Sequence, residues 1–310
     1  MIVGLCAACG RSSLPDLSPP TAVPTLGGVP LASSSWSTPQ RLVDVEALLE
    51  TVRTNVNTNM FDPVLSEDGL SLFVTTDIGG TWDVYELRRP SLTSSFDQIA
   101  PLGTDVNPTG VVTFGYQPLP SLGFVAAFGN YPLEGIAAGT FVVVFADAAE
   151  SPFRWRASTV SLPFEVVIDP RLTADGNTMM FAVATIADPR RSLYVSERAT
   201  TADEFSAAVP VEGLTQQDNS APWLSADKRV LLFANADPNA ETTSELWSAS
   251  RIDVTGPFTD AAPIPELNSP DFDGEPYVFE SAEVCELYII SWRPEAPGFR
   301  LYRSLLTAAE

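Results

Sequence analysis

Phe61-Asp-Pro-Val-Leu-Ser-Glu-Asp-Gly69 has two close copies further along the chain: Ile168-Asp-Pro-Arg-Leu-Thr-Ala-Asp-Gly176 and Ser220-Ala-Pro-Trp-Leu-Ser-Ala-Asp-Lys228. Two degraded copies fill the gaps, Tyr116-Gln-Pro-Leu-Pro-Ser-Leu-Gly123 and Gly274-Glu-Pro-Tyr-Val-Phe-Glu-Ser-Ala282. The shared prolines stand at 63, 118, 170, 222 and 276, so the spacings are 55, 52, 52 and 54 residues. Five copies in one register form a structural repeat, and its period decides the architecture before any single element is read.

Each copy continues in the same way. Asp-Gly between two apolar runs marks a tight hairpin, because glycine tolerates positive φ. The second run follows at once: Leu70–Val74, Phe124–Phe128, Thr178–Ala182, Val230–Ala234 and Leu287–Ser291. A third carries an aliphatic–aromatic pair, Val84-Tyr85, Leu193-Tyr194, Leu246-Trp247 and Leu301-Tyr302, with Phe141-Val142 in the second copy. A fourth, more polar strand is expected over Phe96–Leu102, Phe153–Val160, Phe205–Val211 and Phe258–Ile264. Four short strands repeated at this period point to an all-β, five-bladed β-propeller with four-stranded blades.

The motif Pro-x-Leu-Ser-x-Asp-Gly followed by an apolar strand resembles the WD-like propeller repeat of TolB-type proteins. The resemblance covers residues 36–304, is specific in three copies and degraded in two. The last copy stops after its third strand, at Ser304, and Trp36-Ser-Thr-Pro-Gln-Arg-Leu42 resembles the fourth strand Phe205–Val211. An N-terminal strand is therefore expected to close the last blade, which leaves no long open edge. Within Val43–Met60, the residues Val45, Leu48, Leu49 and Val52 follow helical spacing and predict a short amphipathic helix that caps the propeller.

The 310 residues carry 17 basic and 39 acidic side chains, a net charge of −22, and no histidine. So acidic a chain repels nucleic-acid backbones and anionic lipid. Without histidine there is no Ser-His-Asp triad and no His-ligated metal. No apolar run reaches 18 residues.

The start, Met1-Ile-Val-Gly-Leu-Cys-Ala-Ala-Cys9-Gly, resembles the end of a bacterial lipoprotein signal peptide, with Ala7 and Ala8 at the small positions and Cys9 as the lipidated residue. Cys6 stands where leucine is usual, the apolar run is short and a basic n-region is missing, defects that a start codon further upstream explains. A Cys-x-x-Cys redox pair or an accidental apolar start are the other readings. The organisation expected is a signal remnant and lipidation cysteine over 1–9, a flexible Pro/Ser-rich tether over 10–35, and the propeller over 36–310. By this resemblance the chain sits in the cell envelope, lipid-anchored to the outer membrane and facing the periplasm or exterior. Cys285 is left as a lone, small strand residue.

The face bearing the long connections (43–60, 103–115, 129–140, 235–244 and 266–274) is the expected functional face, since loops carry function. The residue before each repeat proline should point at the channel mouth: Asp62, Gln117, Asp169, Ala221 and Glu275. Asp62, Asp169 and Glu275 converging on one axis repel unless solvated or neutralised. They are turn caps facing water, ligands of a calcium ion, or a catalytic pair. Asp68, Asp175 and Asp227 recur at the hairpin turn and are structural. Two functions fit: a monomeric, non-enzymatic scaffold for a protein or peptide in the envelope, or a glycan-active hydrolase using the channel carboxylates. Fold alone does not choose between them.

Overall fold

The computed structural model describes residues 25–26, 29–30, 34–53, 59–119, 123–129, 141–146, 155–157, 166–184, 190–214, 218–236, 243–281, 284–296 and 298–308. Cys6 and Cys9 lie outside them. Five antiparallel blades follow one another around an axis. Blade 1 has the strands Met60–Leu65, Ser71–Thr76, Asp83–Arg88 and Gln98–Pro101. Blade 2 has Val112–Leu119, Gly123–Gly129, Phe141–Ala146 and Trp155–Ala157, and blade 3 has Val166–Leu172, Thr178–Ala184, Ser192–Glu197 and Val209–Pro210. Blade 4 has Asn219–Leu224, Val230–Ala236, Ser244–Ser250 and Thr259–Pro263. The chain is a five-bladed β-propeller.

The last blade closes as the repeat count requires. Its strands Phe272–Glu280, Cys285–Trp292 and Arg300–Ala308 receive the N-terminal segment as an outer strand, in two pieces. Tyr302 and Arg303 pair with Arg41 and Gln40, while Leu306 pairs with Trp36. Pro39 between the pieces has no N–H to give the ladder, and the pairing breaks there. Trp36 is buried beside Leu306, in a cluster with Leu287 and Tyr302. Within the stretch expected to be an unstructured tether, Thr25–Leu26 and Val29–Pro30 form a small hairpin.

The repeat motif is a set of hydrogen bonds. In blades 1, 3 and 4 the motif hydroxyl donates to the motif carboxylate: Ser66 to Asp68, Thr173 to Asp175 and Ser225 to Asp227, at 2.5, 2.5 and 2.6 Å. The same oxygens accept from the backbone N–H groups of Leu70, Asn177 and Arg229. Gly69 and Gly176 turn the chain at φ 69° and 68°, and Lys228 adopts the same left-handed conformation in blade 4. A second repeated device stands behind each turn. Arg89, Arg198 and Arg251 donate Nε to the carbonyls of Gly69, Gly176 and Lys228. Each also lies over the ring of Phe96, Phe205 or Phe258, so hairpin and fourth strand are tied by one cation–π contact.

The helix forms over Val43–Val52, with Val45 and Leu49 buried. It does not lid the channel. Val45 and Leu49 pack with Met60, Leu72 and Phe96 of blade 1 and with Tyr288, Ile290 and Leu301 of blade 5. The helix therefore fills the seam where the ring closes. That seam also holds a buried charge network: Glu286 accepts from Arg89 at 2.9 Å, Arg303 at 3.2 Å and the Tyr288 hydroxyl at 2.9 Å.

Candidate functional site

Every inner strand is interrupted by a β-bulge, and each bulge contains one left-handed residue. The five are Asp62, Gly115, Asp169, Ala221 and Glu275, at φ 53°, 60°, 54°, 47° and 54°. Such φ values are uncommon outside glycine and costly for a long side chain such as glutamate. These positions, at intervals of 53, 54, 52 and 54 residues, are the true equivalents around the channel. Gln117 is not one of them. In blade 2 the bulge precedes the repeat proline by three residues, and Gly115 takes the ring position. A Cβ there would come within 2.7 Å of the Pro170 ring. Gln117 lies one layer deeper and clasps blade 3: its Oε1 accepts from Leu172 N–H at 2.8 Å and its Nε2 donates to Leu172 O at 2.9 Å.

The three carboxylates, Asp62, Asp169 and Glu275, stand at ring positions of three different blades. Asp62 is 3% exposed, and Asp169 and Glu275 are partly buried. Each reaches the next blade of the ring. Glu275 accepts the backbone N–H of Asp62, Asp62 accepts that of Gly115 at 2.9 Å, and Asp169 accepts that of Ala221 at 3.0 Å. The Arg171 guanidinium stands among them, 3.4 Å from Asp62. Burial, then the Asp62 charge, pushes the Asp169 carboxyl up to about 6. Burial and the charges of Asp62 and Asp169 raise Glu275 well above its ordinary value. Among the described residues no three side chains of metal-ligating type group closely enough to hold an ion. The Arg171 guanidinium brings a positive charge of the chain's own to this group.

Arg171 stands two residues beyond the bulge in blade 3; its counterparts are Val64, Gln117, Trp223 and Tyr277. Inner-strand alternation places this second ring in the channel. Arg191 donates backbone N–H and Nε to Asp218 Oδ1 at 3.0 and 2.6 Å. Its charge also acts on Asp169 and Glu275. No repeat signal pointed to it.

The two ends of the channel differ. On the long-loop side, Phe114, Trp82, Phe61 and Phe299 form a chain of ring contacts at 4.9–5.5 Å, extended by Phe272 and Trp292. Phe61 and Phe114 immediately precede two of the ring positions. On the Asp-Gly side the channel opens into a cavity of about 380 Å³, lined by Leu65, Leu119, Leu172, Leu224, Phe279 and Glu67 among others. The long-loop face was the expected site of binding; the described cavity is at the opposite mouth.

No family model and no curated protein matches the sequence. Solved structures do match the fold. The α-L-arabinofuranosidase PaAbf62A from Podospora anserina is 12% identical at a TM-score of 0.55, covering 89% of this chain and 98% of that one. A thermostable family-43 glycoside hydrolase is 13% identical at 0.56, covering 83% and 92%. TolB from Acinetobacter baumannii is 13% identical at 0.45, covering 82% and 56%. At these identities the likeness establishes the propeller and not the TolB type in particular.

Proposed function

We propose that this chain is a non-enzymatic β-propeller binding module, held in the cell envelope by lipid on Cys9 and engaging a protein or peptide through a channel mouth. The observation that carries this reading is how the channel carboxylates are used. Glu275, Asp62 and Asp169 each accept a backbone N–H of the next blade, and Arg171 faces Asp62. Groups so engaged latch neighbouring blades together. A general acid and base must instead stay free to meet substrate. The test is recovery of partners from native envelope by the full-length, lipidated chain. One or a few proteins retained above a mock control are expected; retention of none overturns the reading.

A second reading, a glycan-active hydrolase, is favoured by the raised Asp169 and Glu275 carboxyls in a propeller that also carries the Trp82–Phe61–Phe299 arc. A protonated carboxyl near aromatic platforms is what glycoside hydrolysis needs from its acid. Release of reducing sugar from arabinan, lost in Asp169→Asn and Glu275→Gln, would establish it in place of the first.

A further inference from the structure

The cavity on the Asp-Gly face is built by the repeat itself. All five blades contribute equivalent positions: Leu65, Pro118, Leu172, Leu224 and Val278 form one layer. One layer further in, Gln117, Arg171, Trp223 and Tyr277, with Thr178 and Met180 of blade 3, line a second void of only about 10 Å³, the size of one water.

The lip is unequal in charge. Glu67 of blade 1 and Glu280 of blade 5 stand side by side in the ring, whereas blades 3 and 4 place Ala174 and Ala226 at the equivalent positions. From the acidic side the cavity continues into an open groove of about 600 Å³, lined by Ser66, Glu67, Asp68, Pro118 and Leu119. The Ser66 hydroxyl and the Leu70 N–H hold the Asp68 carboxyl below its ordinary range, so the groove keeps its negative charge in mild acid.

We infer that this mouth takes an extended peptide segment. One bulky apolar side chain enters the leucine-lined cavity, and a Lys or Arg within two residues lies in the groove over Glu67 and Asp68. A volume of about 380 Å³ is at the small end of ligand sites and accommodates one or a few side chains. The lateral groove favours a chain that continues beyond its anchor over a compact small molecule. Charge complementarity selects the basic neighbour, because the acidic lip belongs to a chain of net charge −22. The inference rests on the binding-module reading and adds the face, the anchor and the charge of the partner.

The experiment exposes the full-length chain to a positional-scanning library of capped heptapeptides and follows the enriched peptide by fluorescence polarisation. Enrichment of an apolar residue with Lys or Arg within two positions is expected, with affinity falling as salt rises. Ala226→Trp plugs the mouth from an exposed turn and should abolish binding. Ala174→Trp plugs it from the neighbouring blade should the first variant fail to fold. Glu67→Lys, also exposed, should weaken a basic peptide by roughly tenfold or more. Enrichment without the apolar–basic pair overturns the inference, as does equal binding by wild type, Ala226→Trp and Glu67→Lys. Envelope partners retained equally by wild type and Ala226→Trp remove this site but leave the binding-module reading intact. If wild type retains none, the module reading itself fails.

Discussion

Replacing Asp169 by asparagine should make the protein more stable at neutral pH. Asp169 Oδ2 accepts the Ala221 N–H, and the asparagine side-chain carbonyl can accept it too. The backbone there is left-handed, φ 54°, a conformation asparagine tolerates well. What the change removes is a charge in an unfavourable place. The carboxyl rises from 3.8 to about 6 on folding, driven by burial and by Asp62 against the opposing pull of Arg191 and Arg171. The folded state thus binds this proton more tightly than the unfolded chain. Its ionisation destabilises the fold above pH 6, and the loss is recovered as pH falls from about 6 towards 4. A difference of about 2 units corresponds to about 3 kcal/mol at most, or up to about 5 °C in melting temperature for a domain this large.

Thermal and urea unfolding of wild type and Asp169→Asn between pH 8 and pH 4.5, at fixed ionic strength, measures this directly. General charge repulsion also relaxes in acid, so the difference between the two proteins is the informative quantity. The asparagine protein should lead at pH 8, and the gap should fall to about half by pH 5 and keep shrinking towards pH 4. Glu275→Gln should act in the same direction, and the double variant should gain less than the sum, because the Asp169 charge is part of what raises Glu275. An asparagine protein less stable than wild type at pH 8 would refute the account. It would mean that Arg171 and Arg191 more than offset burial, making the ionised ring a net stabiliser.

Other expectations follow from the same geometry. Trp36→Ala removes the buried anchor of the closing strand and should cost about 3–5 kcal/mol; removal of residues 1–42 should cost more, and wild-type melting after either change would show that the last blade does not depend on this strand. Glu286→Ala strands the Arg89 guanidinium in the seam and should destabilise by about 3–5 kcal/mol, whereas Glu286→Gln, retaining an acceptor, should cost less; equal effects in urea titrations would contradict the network. Calcium and an ionic-strength-matched sodium control should give the same melting curve, because Arg171 already stands among the channel carboxylates; specific stabilisation by calcium would establish an ion site. Burial pushes the Cys285 thiol up to about 12, so it should stay protonated and resist alkylation at pH 8; rapid labelling of the Cys9→Ser protein, followed by peptide mapping to Cys285, would contradict this.

The sequence disclosed the fold because the repeat is local chemistry. Ser66–Asp68, Thr173–Asp175 and Ser225–Asp227 bond within a few residues, so their spacing survives as a readable motif. Arg89, Arg198 and Arg251 were equally readable, each four residues after its strand-three aromatic, but an arginine at the end of a strand looks like any solvated charge until its phenylalanine is located. The channel was less legible because its contacts cross blades. Aligning on prolines selected Gln117, while the backbone places Gly115 in the ring. A bulge is defined by φ and cross-strand register, and Tyr116 occupies it in blade 2 where the other blades have proline. Arg171 was hidden for a related reason. It occupies the variable position of its motif, where Val64, Gln117, Trp223 and Tyr277 stand in the other blades, so the repeat that reveals the architecture averages away the residue that sets the channel's charge. The variable positions of a closed repeat are where its members can differ without opening the ring. Glu67, Ala174, Ala226 and Glu280 vary in the same way at the mouth, and that variation gives an otherwise symmetric opening one acidic side.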